Sequence, residues 1–182
     1  MNNEEKKQIN VRDWITLSTV MIGAVLTILA LIWQVPPTMG GIGSVTFLLM
    51  LSFILFVNSV SANSKANFEA NSKETVKEKI NRFLTFAEFT FGLGFTFVIA
   101  GFTILGYKYL LGSSIGRSIV TLMLPITFLV TAWVMIFIYN VINYSGKALK
   151  AVRSMKRNLW MFLELIILVI ILFDFFEIIL IP

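Results

Sequence analysis

The sequence predicts an all-α, polytopic membrane protein with five transmembrane helices. Of its 182 residues, 57% are apolar and 14% are charged, whereas soluble domains are usually about 45–50% apolar and about 25% charged. The apolar residues fall in five long runs, each near the roughly 20 residues that a membrane-spanning helix needs. Only short segments separate these runs, so we expect one transmembrane domain over residues 1–182 and no soluble catalytic domain.

The first two spans are predicted at about residues 14–34 and 42–60. Trp14 and Trp33 bracket the first span, as is typical of aromatic rings at the two membrane interfaces. Pro36 and the proline after it should end that helix, because proline cannot continue the backbone hydrogen-bond ladder. The following turn is uncharged, so the two spans are expected to form an antiparallel hairpin.

The third and fourth spans are predicted at about residues 83–111 and 118–144. Residues 61–82 before them are polar, with alternating charge signs, which predicts a helical linker in the cytoplasm. Pro125 lies inside the fourth span and should kink it, because it frees a backbone carbonyl one turn earlier. This proline is a candidate gating hinge, although such kinks are also common in helices that do not gate.

The fifth span is predicted at about residues 159–181, after a loop at 146–157 with five cations and no acid. It contains three carboxylates, and its longest uncharged stretch would cross only about half of a bilayer core. A tilted, interfacial or partner-covered helix is therefore the alternative to a full span.

The distribution of lysine and arginine predicts the orientation. Thirteen of these cations lie in the N-terminal stretch and in the two basic segments, whereas Lys108 and Arg117 fall on the other side. Under the positive-inside rule, the N-terminus is inside and the C-terminus outside a cell membrane. Membrane orientation thus accounts for the net charge of +5, and no nucleic-acid partner is expected.

The sequence contains neither cysteine nor histidine. This removes thiolate chemistry, the usual zinc and haem ligands, and every catalytic pair built on histidine. No phosphate-binding loop or spaced cluster of metal ligands is present either. We therefore expect no enzyme and no cofactor, and leave open whether a metal ion binds.

One face of the first span is small or weakly polar along its whole length. Positions spaced four and three apart form this face, which we call the α1 seam: Thr16, Val20, Gly23, Thr27, Ala30 and Gln34. A helix that lines a pore in a symmetric oligomer would need such a stripe, since hydroxyls and exposed backbone can contact water. Close packing against another helix selects the same residue types and is the alternative.

Intramembrane carboxylates are functional candidates because each costs roughly 2.5–3.5 kcal/mol or more at the bilayer centre unless it is paired, protonated or wetted. Glu88 and Glu164 each lie about five residues inside a span, where they could reach the cytoplasmic interface. Structural pairing with Arg82 and Arg157, respectively, is one role for them, and a functional site is the other.

Asp174 and Glu177 are three residues apart and should be neighbours on one helix face. They are expected towards the outer side, where Lys108 and Arg117 are also placed. Ion pairs between helices would explain all four residues. A site that attracts cations, or a carboxylate pair that binds protons, is the alternative.

Several local features occur in an order that is similar to a known family. They are the Pro36-Pro37 break, Asn67-Phe68-Glu69-Ala70 after the second span, Tyr107-Lys108-Tyr109 ending an aromatic-rich third span, and Leu124-Pro125 in the fourth. Over about residues 16–147, this order resembles the Orai calcium channels. The resemblance implies an oligomeric channel whose pore is lined by the first helix of each subunit.

The sequence departs from the Orai pattern where calcium would be selected. The outer end of the first span reads Leu31-Ile32-Trp33-Gln34, without the acidic residue of that family, and Gly101 stands where the third span would have its acid. The fifth apolar run is also additional. The resemblance therefore implies the pore architecture without calcium selectivity.

Three functions are compatible with these features. The first is a pore-forming subunit of a homo-oligomeric ion channel, with the α1 seam around the axis and Lys6, Lys7 and Arg12 near its cytoplasmic mouth. The second is a non-catalytic structural or accessory subunit of a larger membrane complex. The third is an ion-driven subunit that uses Asp174 and Glu177. All three include the lipid bilayer as a partner, and the second adds other membrane subunits.

Overall fold

The computed structural model of the protein consists of α-helices joined by turns, within the residues that it describes. Those residues are 3–34, 40–71, 77–143 and 159–182. The helices are α1 (Asn3–Gln34), α2 (Ile42–Ala70), α3 (Lys77–Gly112), α4 (Ile119–Asn143) and α5 (Leu159–Phe175). The predicted all-α class is confirmed over this part of the chain.

Helices α1 to α4 are each long and apolar enough to cross a membrane. By length and composition, the chain is therefore a multi-pass membrane protein. Three of these helices extend beyond their predicted spans: α1 begins eleven residues earlier, at Asn3, while α2 continues to Ala70 and α3 begins at Lys77. The predicted linker at 61–82 is thus largely formed by the ends of α2 and α3, and its residues 72–76 lie outside the described residues.

Two further predictions fall outside the described part of the chain. The basic loop at 146–157 is one of them, and the break at Pro36 is the other. Pro125 does lie in the described part, and α4 is continuous through it.

The chain divides into two compact units. The first comprises Met1–Pro36 and Phe47–Val98, and the second comprises Pro37–Thr46 and Ile99–Pro182. Helices α2 and α3 contribute residues to both units. The expectation of a single transmembrane domain stays a prediction.

In the first unit, buried hydroxyls connect three helices. The Ser59 hydroxyl donates to the carbonyl oxygen of Ala87 at 3.0 Å, and its oxygen lies 3.3 Å from that of Ser18. Both serines are fully buried. Seven residues after Ala87 on α3, Gly94 packs against Phe56, and a Cβ atom at Gly94 would lie 3.1 Å from the ring. Small and hydroxyl side chains thus allow α1, α2 and α3 to approach closely.

In the second unit, α5 ends at Phe175, six residues before the predicted end of the fifth span. Glu177 adopts a left-handed conformation with φ of 60°. The amide of Ile178 donates to the carbonyl of Phe173 at 2.8 Å, and the amide of Glu177 donates to that of Asp174 at 3.1 Å. This pair of bonds is the Schellman motif, which stops a helix and reverses the chain.

Candidate functional site

All six residues of the α1 seam are exposed in the structure. At 3.6 residues per turn, they lie within about 40° of one line along the helix. The residues that α1 buries are on the opposite side: Val11, Ser18, Val25 and Leu29. The helix therefore packs into its own chain through one face and leaves the seam uncovered.

Apolar residues flank the seam along both edges. Leu17 and Leu31 lie on one side and Leu26 on the other, and each is about half exposed. At Gly23, no atom of the described chain lies within 4 Å of where a Cβ atom would stand. The seam is thus an uncovered strip whose edges carry leucines together with the exposed Thr19 and Ala24.

The hydroxyls of the seam already have hydrogen-bond acceptors. Thr16 donates to the carbonyl of Arg12 at 3.0 Å, and Thr27 donates to that of Gly23 at 2.9 Å. Each bond joins a side chain to the preceding turn of its own helix. The seam can therefore face lipid, protein or water without leaving a hydroxyl proton unsatisfied.

No protein-family model, curated protein or solved structure matches this chain. Besides the α1 seam, the relevant groups are the carboxylates and their partners in the second unit.

Asp174 lies at the centre of a buried polar cluster. Its Oδ1 accepts hydrogen bonds from Lys108 Nζ and from the backbone amide of Ile181, both at 2.8 Å, while Oδ2 accepts from the Tyr107 hydroxyl at 2.8 Å. Asp174, Tyr107 and Lys108 are all buried. Three donors, one of them cationic, compensate the desolvation of this carboxylate.

Two features of the backbone complete this cluster. Gly41 has φ of 90°, and a Cβ atom there would lie 2.7 Å from Cγ of Lys108, so the lysine chain crosses a position that only glycine can fill. The main-chain oxygen of Pro182 accepts hydrogen bonds from the amide and hydroxyl of Ser44, at 3.1 and 3.0 Å. The segment after α5 is therefore fastened to the start of α2.

Glu177 forms an ion pair with Arg117 at the surface of the same unit. The structure thus joins each acid of the Asp174 and Glu177 pair to a different cation, one pair buried and one exposed. These are the two cations that the sequence proposed as outer partners. This arrangement favours ion pairing over a shared cation or proton site for these two acids. Asp174 is in α5, but Glu177 lies in the turn after it, so the prediction that both acids share one helix face is wrong.

Glu164 is fully buried and has a different environment. Its Oε2 accepts a hydrogen bond from the indole Nε1 of Trp133 on α4 at 2.6 Å. Its Oε1 is buried and has no hydrogen-bond partner among the described residues. Arg157, its predicted partner, lies outside the described residues.

The remaining candidates are not brought into a site. Glu88 is exposed, and Arg82, its predicted partner, instead pairs with Glu78 one turn away at 2.7 Å. The helix register explains this difference, because Arg82 and Glu78 are four residues apart and so share a face. Pro125 is buried. Arg12 is exposed, one turn before the N-terminal end of the α1 seam. The side chains of Lys6 and Lys7 are outside the described set.

Sequence reasoning missed three partners of the candidate acids: Tyr107, Trp133 and the backbone of Ile181. Trp133 offered a signal, because it lies in the middle of an apolar span rather than at an interface, where tryptophan is usual. An indole N–H in an apolar segment requires a hydrogen-bond acceptor. Within the described residues, no three acids come close enough to form a metal site.

Proposed function

We propose that the protein is the pore-forming subunit of a homo-oligomeric ion channel in the cell membrane, with α1 lining the pore. One observation supports this proposal above the others: the α1 seam is exposed, and it lies directly opposite the face through which α1 packs into its own chain. In a ring of identical subunits, this face is free to point at the symmetry axis.

The composition of the exposed side favours a pore over simple contact with lipid. A helix that only faces lipid has no need for glycine, alanine and threonine along one line, since any apolar side chain serves there. Copies of α1 around an axis have such a need, because small side chains leave room for ions and threonine hydroxyls can contact water. The flanking leucines would then contact neighbouring copies.

The acids in the second unit support assigning conduction to α1 rather than to α5. Asp174 and Glu177 are each neutralised by a cation of the same chain, so neither is free to bind a passing ion without breaking a pair. This disfavours the ion-driven subunit. The α1 seam contains no carboxylate, so calcium selectivity is not part of the proposal. The resemblance to the Orai architecture agrees with a pore lined by α1.

We further propose five spans, with the N-terminus in the cytoplasm and the C-terminus outside. The buried residues of α5 include both of its acids, Glu164 and Asp174. The other sides of α5 carry Phe162, Leu165, Ile166 and Val169, all exposed. A helix that turns its acids inward and its apolar residues outward is suited to a lipid environment.

The absence of cysteine permits a direct test of the pore proposal. Thr27→Cys places a single thiol in the α1 seam, and Ile126→Cys places one on an exposed face of α4. Ile126 lies as far from the start of α4 as Thr27 lies from the end of α1, so the two depths match in the proposed topology. The protein is reconstituted in liposomes and treated with a membrane-impermeant, charged thiol reagent.

We expect the reagent to modify Thr27→Cys much faster than Ile126→Cys and to block ion flux in the first variant alone. A thiol in a water-filled pore is accessible to a charged reagent, whereas one in lipid is not. Equal, slow modification of both variants, with no flux across the liposome membrane, would contradict a pore lined by α1.

An accessory subunit remains the second candidate, because the same small residues would also let α1 pack closely against a different protein. Native mass spectrometry of the purified complex separates the two. Several copies of this chain alone support the channel, whereas one copy together with another membrane protein supports the accessory subunit.

A further inference from the structure

Glu164 is the one buried acid of α5 whose partners leave an oxygen unsatisfied within the described chain. Asp174 has donors on both carboxylate oxygens, whereas Glu164 has only the indole of Trp133 on Oε2. Its Oε1 is buried without a hydrogen-bond partner. A buried oxygen without a partner in a folded protein requires an explanation, and for a carboxylate a bound proton is one because it removes the buried charge.

We propose that Glu164 is a proton-binding site, in which the carboxyl group is neutral, with the proton on Oε1 and Oε2 serving as the carbonyl that accepts from Trp133. The site is independent of the pore proposal, since it concerns α4 and α5 and not the α1 seam. Its ligand is a single proton taken from water.

The geometry distinguishes a proton from a metal cation. A cation would need several oxygen ligands around it, and the described residues provide no group of three acids. A proton needs only the one free oxygen. A neutral carboxylic acid accepts a hydrogen bond through its carbonyl oxygen, which fits the single contact of Oε2 with Trp133, and its hydroxyl group on Oε1 leaves no charge that needs a counter-ion.

Other charged groups do not replace the proton. Among the described residues, Glu164 forms no ion pair. Asp174 lies ten residues further along α5, about 15 Å away along the axis, and is already paired with Lys108. Arg157 lies seven residues before Glu164, outside the described part of the chain, so the test includes it.

Ionisation of Glu164 would leave a bare charge between α4 and α5. A buried carboxylate with a single neutral donor is strongly disfavoured, so loss of the proton should be accompanied by entry of water or by separation of the two helices around Trp133. The site would therefore couple proton binding to the packing of α5 on α4.

Infrared spectroscopy of the whole protein in lipid nanodiscs at neutral pH tests the proposal. A protonated carboxyl group has a C=O stretching band that is separate from the amide bands and moves to lower frequency in D2O. We expect such a band in the wild-type protein and its loss in Glu164→Gln. The matched control is Glu78→Gln, which removes an exposed acid paired with Arg82 and should leave the band unchanged.

Trp133→Phe keeps the proposal testable if Glu164→Gln does not fold. This change retains the carboxyl group and removes the indole donor, so the same band should move to higher frequency, because its carbonyl loses a hydrogen bond. Absence of the band in the wild type, or a band that neither substitution alters, overturns the proposal. A band that is absent in the wild type and present in Arg157→Gln also overturns it, because arginine would then hold the charge.

Discussion

Lys108 and Asp174 form a buried ion pair between α3 and α5, with 2.8 Å between Nζ and Oδ1. Only 9% of the lysine side chain and 1% of the aspartate side chain are exposed. The carboxylate also accepts from Tyr107 and Ile181. Two charges can be buried together at this depth because both oxygens of the acid accept hydrogen bonds, from three donors in all.

Removing one partner of this pair should strongly destabilise the protein. We expect Lys108→Met to lower the free energy of unfolding by about 3–5 kcal/mol, because it leaves an uncompensated buried carboxylate. Asp174→Asn should have a similar effect, since it leaves the lysine charge unpaired. Thermal or denaturant unfolding of the purified protein in detergent measures both.

Arg117→Gln is the matched control, because it breaks the exposed ion pair with Glu177 in the same unit. A pair this exposed contributes about 0–1 kcal/mol. If Lys108→Met were as mild as Arg117→Gln, the ion pair at Asp174 would not be desolvated in the folded protein.

The hydroxyl of Ser59 should contribute more to stability than that of Ser61, two residues further along α2. Ser59 is buried and bonds to Ala87 on α3, whereas Ser61 is exposed and bonds to Val57 in its own helix. We expect Ser59→Ala to cost about 1–2 kcal/mol, because it removes a bond between helices and opens a small void. Ser61→Ala should change stability by less than about 0.5 kcal/mol, so equal effects in the same unfolding assay would contradict the assigned contacts.

The features that sequence could predict are those set by local pattern. Runs of apolar residues predicted where each long helix lies, since burial in lipid is the dominant constraint on such segments. The spacing of the seam predicted that Thr16, Gly23 and Thr27 share a face, because helix geometry fixes that relation. The sequence also offered the pairing of Asp174 and Glu177 with Lys108 and Arg117 as one of two alternatives, because these are the two cations on the outer side of the predicted topology.

The features that sequence could not predict depend on contacts between distant segments. The donation by Tyr107 to Asp174 joins residues that are 67 positions apart, and that by Trp133 to Glu164 joins residues 31 apart. The end of α5 at Phe175 was missed because its stop signal is Glu177 in a left-handed conformation, a position where glycine is usual. Arg82 pairs with Glu78 rather than with Glu88 because Glu78 lies four residues away on the same helix face, whereas Glu88, six residues away, lies on another face.

Glycine should be required at position 94 and dispensable at position 23 for the stability of the single chain. A Cβ atom at Gly94 would lie 3.1 Å from the Phe56 ring, whereas at Gly23 it would meet no atom of the described chain within 4 Å. We expect Gly94→Ala to destabilise the chain by about 1–3 kcal/mol through overpacking. Gly23→Ala should be neutral or stabilising by up to about 1 kcal/mol, because alanine favours the helix.

The same pair of variants gives information on assembly. Gly23 belongs to the α1 seam, so Gly23→Ala should leave monomer stability intact while it changes ion flux or the population of oligomers, measured by native mass spectrometry. If the face of α1 with Gly23 contacted only lipid, the variant would behave as the wild type in both measurements.

The left-handed conformation of Glu177 is a local strain in the turn where this residue also pairs with Arg117. A non-glycine residue with φ of 60° costs about 1–2 kcal/mol relative to an ordinary helical conformation, and glycine avoids most of this cost. Glu177→Gly alone relieves that strain and loses an ion pair that contributes about 0–1 kcal/mol, so it should be neutral or stabilising by up to about 2 kcal/mol. In an Arg117→Gln background the ion pair is already absent, and Glu177→Gly should then stabilise the turn after α5 by about 1 kcal/mol. Hydrogen exchange of the Ile181 amide, which donates to Asp174, reports on the stability of this turn. Faster exchange in the double variant than in Arg117→Gln alone would contradict the prediction, because it would show that the Glu177 side chain stabilises the turn by more than its backbone strain costs.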